Sequence, residues 1–202
     1  MTRRDILGDL VADAHEWVRR RAAIGPNSRR GRVFAAFGPQ SIICFPPAAL
    51  FGEAGIQIGS EVMIGPNVSL SAGMAPGQSL VSNRIVVIGD RCLIGRNSSI
   101  VGHLSIEIGP DVYFGPNVYV TDQNHSADDP NLPIGHQSAA ERPVRIGAGS
   151  WIGTNAVILP GVTIGRQAIV GAGAVVVDDI PDGAVAVGSP ARLTSRVRGD
   201  NA

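Results

Sequence analysis

The sequence has no lysine: all 17 basic residues are arginines, and 17 acids bring the formal net charge to zero. Without a basic excess, neither a nucleic-acid target nor a strongly acidic partner is expected. Cysteine is scarce. Cys44 and Cys92 are the only two; with no CxxC spacing and no third partner they read as reduced, buried thiols. Long hydrophobic runs are missing too, and nothing approaches the roughly 18 apolar residues of a membrane span. The opening stretch MTRRDILGDLVADAHEWV scatters four acids among its apolar residues. That argues against a signal peptide and for a cytoplasmic location.

What is present divides into three segments. Over residues 1–30, Ile6, Leu7, Leu10, Val11, Ala14, Trp17 and Val18 recur at helical spacing, and Gly25-Pro26-Asn27 ends that helix. Eight of the 17 arginines fall within the first 32 residues, against four acids. A solvated helix face is expected, the alternative being a weak contact with an anionic lipid surface or polymer.

Residues 31–180 carry a repeat of six. Ile58-Gly59 is followed by Ile64-Gly65 and Leu70. The phase persists across a glycine- and proline-bearing stretch in which positions 76 and 82 fit poorly, then resumes at Ile88-Gly89, Ile94-Gly95 and Ile100. A two-residue insertion shifts it to Ile108-Gly109, Phe114-Gly115 and Val120. After a break over 121–145 come Ile146-Gly147, Ile152-Gly153, Ile158, Ile164-Gly165, Val170-Gly171 and Val176. This period signals a parallel β-helix. Three six-residue sides close a triangular coil of roughly 18 residues, whose aliphatics point inward while the following small residue is expected to turn the corner. Coils stack at about 4.8 Å. An α-helix fails on the abundance of glycine and β-branched residues. Residues 181–202 form a closing segment and tail.

The 25-residue break raises the functional question. Coil positions are committed to stacking, so a reactive side chain is better carried by an excursion. The loop 121–145 is polar and turn-forming, with His125 near its base. Histidine is the side chain suited to take a proton near neutral pH, and a step that develops an oxyanion also needs N–H donors aimed at it. No G-x-S-x-G elbow is present, so direct attack by an acceptor is preferred to a covalent serine intermediate. Asp122 either orients the imidazole or caps a turn. His136 is expected to be solvated, and His15 belongs to the helix.

Over residues 37–193 the chain resembles the hexapeptide-repeat acyltransferases, left-handed β-helix enzymes that move an acyl group from coenzyme A. The nearest branch is the sugar O-acetyltransferases of the galactoside and maltose type with their polysaccharide-modifying relatives. The stretches IGPDVYFGPNVYVTDQNH and VRIGAGSWIGTNAVILPGVTIGRQAIVGAGAVVVDDIPDGAVAVGSPARL carry the likeness. It implies His125 as catalytic base and His103, at the two-residue insertion, as an acceptor contact. Coenzyme A is implied along Trp151, Thr154, Gly171, Ala172 and Arg192, where small residues admit the pantetheine arm and a basic one pairs with phosphate. A second basic position of the family falls on Ser195, next to Arg196, and an acceptor-holding asparagine corresponds here to Gly95. The resemblance further implies acyl-CoA (acetyl by default) as co-substrate, a sugar or polysaccharide acceptor, no metal, and a homotrimer with shared active sites. Zinc ligation of the γ-carbonic anhydrase kind does not match the 22- and 11-residue steps between His103, His125 and His136. A noncatalytic β-helix scaffold and an acetyltransferase of another small acceptor are the alternatives.

Overall fold

The computed structural model describes residues 3–194. Its body is a left-handed β-helix whose strands stack into three parallel faces. The first face runs from Ala36–Phe37 through Ile56–Ile58, Val86–Ile88, Ile106–Ile108 and Val144–Ile146 to Thr163–Ile164. The second stacks Ile42–Ile43, Met63–Ile64, Leu93–Ile94, Tyr113–Phe114, Trp151–Ile152, Ile169–Val170 and Val185–Val187. An antiparallel strand, Arg192–Leu193, closes it. The third holds Leu50–Phe51, Ser69–Ala72, Ser99–Gly102, Tyr119–Thr121, Val157–Ile158 and Val175–Val176.

In-register pairing makes each hexad aliphatic one rung of an interior ladder. Ile58, Ile88, Ile108, Ile146 and Ile164 line the first face at no more than 2% exposure. Leu70, Ile100, Val120, Ile158 and Val176 do the same on the third. Each such side chain contributes about 1.5–3 kcal/mol of transfer free energy. Cys92 sits in this interior at 2% exposure, whereas Cys44 is only half-buried.

The corners correct one expectation. The glycine after each aliphatic does not supply the left-handed turn. At the second-to-third corner that conformation belongs to Asn67, Asn97, Asn117 and Asn155, two positions later, with φ between 58° and 61°. Asparagine tolerates this region better than most residues. The glycine is needed because the next coil passes too close: a Cβ at Gly95 would lie 2.3 Å from the carbonyl oxygen of Gly115.

A second correction concerns positions 76 and 82, which are not rungs. Ile58 pairs with Ile88, a step of 30 positions, where a plain coil such as Ile146 to Ile164 takes 18. The chain leaves the third face after Ala72 and rejoins the first at Val86. This excursion happens to add two whole hexads, so the count of six survives without a coil beneath it.

The N-terminal helix, Arg3–Ala22, stands off the prism, with residues 5–21 all exposed, apolar as well as polar. After it, Ile24 exchanges two backbone hydrogen bonds with Ile43, which seals the first edge of the second face. No helix among the described residues is long and apolar enough to cross a membrane.

Candidate active site

Departures from the plain coil concentrate at the third-to-first corner. In four successive coils the chain overruns there, by residues 52–55, then 73–85, then 103–105, then 122–143. The last excursion begins one residue after strand Tyr119–Thr121, at Asp122.

Asp122 is fully buried. Its carboxylate accepts the backbone N–H groups of His103 at 2.9 Å, Leu104 at 2.8 Å and Ser105 at 2.7 Å. Its carbonyl accepts the Arg142 N–H at 2.9 Å, where the long excursion returns. Asp122 therefore does not orient the His125 imidazole, and buried under these bonds it offers no oxygen to an acceptor. Of the two sequence readings the turn-capping one describes it: a charged acceptor satisfies three N–H groups of a short insertion that has no strand to pair with.

His125 lies where the long excursion crosses itself, in an antiparallel bridge with Ser138. The residue is exposed, and its Nδ1 lies 3.1 Å from the carbonyl oxygen of Gln137. A carbonyl only accepts, so Nδ1 is the protonated nitrogen. The Nε2 lone pair is then left free to take a proton. Gln137 is itself held: its side-chain N–H groups donate to the carbonyls of Asp129 and Leu132, both at 2.8 Å, and its Oε1 accepts the Asp129 N–H at 2.9 Å. The imidazole thus rests on the best-anchored point of a polar loop.

The His103 side chain is 9% exposed and places Nδ1 3.3 Å from Glu141 Oε1, a residue of the returning arm of the same excursion. His136 is exposed within the short turn Ile134–His136.

The candidate coenzyme residues gather elsewhere. Thr154 and Ala172 stack on consecutive coils at the second-to-third corner, linked by the Gly173 N–H donating to the Thr154 carbonyl at 2.8 Å. Trp151 faces outward from the second face, 54% exposed. Gly171 has a packing reason of its own, since a Cβ there would meet Val187 Cγ1 of the closing strand at 2.7 Å. Arg192 pairs across that strand with Val187. Its guanidinium stays 65% exposed beside Asp178, at 3.3 Å. Ser195 and Arg196 lie outside the described residues.

The structure therefore brings His103, Asp122 and His125 together at one corner, and Thr154, Gly171 and Ala172 at another, on the opposite edge of the third face. Trp151 lies on the second face before that corner, and the Arg192 guanidinium reaches Asp178, past the third-face strand Val175–Val176. Sequence reasoning missed Gln137 and Glu141. The Gln137 contact is made by a backbone carbonyl, which has no sequence signature, and both depend on how the excursion folds back. At Gly95, the crowded backbone of Gly115 leaves no room for the asparagine of the sugar acetyltransferases.

Two family descriptions match this chain: bacterial transferase hexapeptide (six repeats) over residues 143–178, and hexapeptide repeat of succinyl-transferase over 85–122. A probable acetyltransferase of Mycobacterium tuberculosis is 44% identical over 105 residues, which cover 52% of this chain and 35% of that protein. The chain thus spans about a third of that relative's length. A putative lipopolysaccharide biosynthesis O-acetyl transferase of Escherichia coli is 27% identical over 157 residues, covering 74% of this chain and 76% of the relative. Among solved structures, an N-acyltransferase from Bacillus cereus with dTDP and coenzyme A superposes with a TM-score of 0.70 at 20% identity, covering 87% of this chain and 93% of that one. A hexapeptide-repeat acetyltransferase from Vibrio cholerae with acetyl coenzyme A gives 0.53 at 26%, covering 83% and 73%.

Proposed function

We propose that the chain, which matches hexapeptide-repeat transferase descriptions over residues 85–122 and 143–178, is an acyl-CoA-dependent O-acyltransferase that acts on a sugar or polysaccharide hydroxyl. The observation that carries the reading is the exposed His125, with Nδ1 committed to the Gln137 carbonyl. The relative named as an O-acetyl transferase and the Vibrio acetyltransferase with acetyl coenzyme A support the class of reaction. Nε2 takes the acceptor hydroxyl proton as its oxygen attacks the thioester carbonyl. The tetrahedral intermediate then collapses, the C–S bond breaks, and the proton passes from the imidazolium to the coenzyme A thiolate. Thr154, Gly171, Ala172 and Arg192, with Trp151 at their border, hold the coenzyme, and His103 lines the acceptor side.

His125 and the coenzyme corner occupy opposite edges of one face, which supports a homotrimer whose sites join His125 of one chain to the coenzyme corner of the next. In mixed refolding, His125→Ala chains and chains disabled at Arg192 and Ala172 regain activity together. Mixed trimers that stay inactive place each site within one chain.

The test of function is thiol release from short acyl-CoA donors against mono-, di- and oligosaccharides. His125→Ala lowers turnover by about 10²–10⁴-fold with coenzyme A affinity nearly unchanged. Retention of more than about a third of the activity removes His125 as the base. Acylation of amino sugars but not of hydroxyls would make the enzyme an N-acyltransferase, and the absence of both turnover and coenzyme A binding would leave a scaffold.

A further inference from the structure

The N-terminal helix carries an apolar stripe of Ile6, Leu7, Leu10, Val11, Trp17 and Val18, each 40–63% exposed. A second apolar line runs up the outside of the second face. Ile42, Met63, Leu93, Tyr113 and Trp151 are paired in register on successive coils, and all but the half-buried Leu93 are 39–54% exposed. The outward positions of the first face over the same coils are Ala36, Gln57, Val87, Glu107 and Arg145, so the first face presents no such apolar line. We propose that the helix of one copy of this chain lies along the outer apolar ladder of the second face of a neighbouring copy.

Three observations select a second copy. The first is orientation. The hollow between helix and prism is lined by Glu16, Arg19 and Arg20 from the helix, with Ile42, Cys44 and Phe45 opposite. At 100° per residue those three polar positions lie on the side of the helix opposite the stripe. The stripe therefore points away from its own prism, and the Ile24–Ile43 bridge holds the exit of the helix in that attitude.

Length is the second. From Ile6 to Val18 the helix rises ~18 Å at 1.5 Å per residue. From Ile42 to Trp151 the ladder spans four strand spacings, about 19 Å.

The third is charge. Asp9 and Asp13 flank the stripe on one side, His15 on the other. One border of the ladder carries Glu61, Asp90 and Asp111 against Arg91, while the other carries Arg96 and no acid. With Asp9 and Asp13 towards Arg96, the acidic flank of the stripe meets the basic border of the ladder, and the flank turned to the acidic border carries no acid.

Such a contact covers on the order of 800 Å² counting both surfaces, short of the ~1,200 Å² of a stable pair. The helix thus reinforces an assembly whose prisms also touch. The inference does not depend on the catalytic reading.

The test is cross-linking between chains. Chains carrying Leu10→Cys are co-expressed with chains carrying Tyr113→Cys, both with Cys44→Ser. Cys92 is retained, since burial makes it unreactive. A short bismaleimide should yield a mixed covalent pair, lost when Leu7→Glu is added to the helix. Because the helix is exposed along its length, that change leaves the β-helix folded by circular dichroism. Failure to form the mixed pair while both thiols react with a monofunctional maleimide overturns the proposal. An intramolecular link in the Leu10→Cys/Tyr113→Cys double variant, with no mixed pair, overturns it in favour of a folded-back helix. Sedimentation with phosphatidylglycerol vesicles, abolished by Leu7→Glu and unaccompanied by the mixed pair, overturns it in favour of a lipid surface.

Discussion

The second-to-third and third-to-first corners are built from the same hexads and behave in opposite ways. At the first of these, glycines 95, 115 and 153 bring consecutive coils so close that an added Cβ would meet the next backbone at 2.3–2.7 Å. The single added residue there falls in the first coil, between Ile43 and Leu50, where Cys44 stands in place of the glycine. At the other corner, four consecutive coils carry insertions, and the longest is anchored by the buried carboxylate of Asp122 rather than by stacking. A β-helix varies most where its corner is held by side chains, and least where its corner is held by close backbone contact. The candidate base sits at the variable corner, and Thr154, Gly171 and Ala172, the candidate coenzyme contacts, at the tight one.

The comparison breaks most severely if the tight corner accepts a side chain. Gly153→Val places a Cβ 2.5 Å from the Ala172 nitrogen and should cost roughly 3–4 kcal/mol, a fall of several degrees in Tm. Gly135 in the long excursion has open space around it, and Gly135→Ala should stay within about 0.5 kcal/mol. Equal losses in thermal unfolding would erase the distinction between the corners.

Next in size is Asp122→Ala. It leaves the N–H groups of residues 103–105 without their acceptor and should cost ~2–3 kcal/mol in urea unfolding. Asp122→Asn, which keeps one acceptor oxygen, should lose less. A variant as stable as the parent would show that water replaces the carboxylate at no cost.

Arg192→Ala removes an exposed cation of the closing strand. About a tenfold rise in KM for the acyl-CoA with little change in kcat is expected, equivalent to ~1.4 kcal/mol. An unchanged KM moves the nucleotide end of the coenzyme elsewhere.

The smallest effect belongs to the first-to-second corner, where the Arg91 guanidinium bonds Asp111 at 2.7 Å and holds its carboxyl below the usual range. A depressed folded value means that the pair contributes stability above the ordinary aspartate pKa of ~3.9 and loses it as pH falls through the folded value. The pair lies at the surface, so Asp111→Asn should lower Tm slightly at neutral pH and not at all in acid. A difference that grows on acidification would reverse that assignment.

Much of this was legible in advance, for reasons visible in single residues. The rungs from Ile58 to Val176 announce themselves because a β-helix requires an aliphatic at a fixed interval, and the long break announces itself by violating that interval. The excursion at 73–85 was hidden because its length equals two hexads: a periodicity cannot reveal an insertion of its own multiple. The Asn67, Asn97, Asn117 and Asn155 ladder was equally visible in the repeated glycine-x-asparagine triplets. The preceding glycine masks that signal, because a glycine alone is a sufficient account of a tight turn.

The order of hexads by itself determined that the chain winds into coils, which side chains fill them, and that His125 lies off the coil. Those are consequences of local spacing. Only the tertiary structure decided that Asp122 turns inward to residues 103–105, and that the imidazole rests on the Gln137 carbonyl. It also decided that the helix stripe faces away from its own prism. Each of these depends on how segments distant in sequence meet in space. A backbone carbonyl, a buried carboxylate with several possible donors and the roll of a helix about its axis carry no periodic mark.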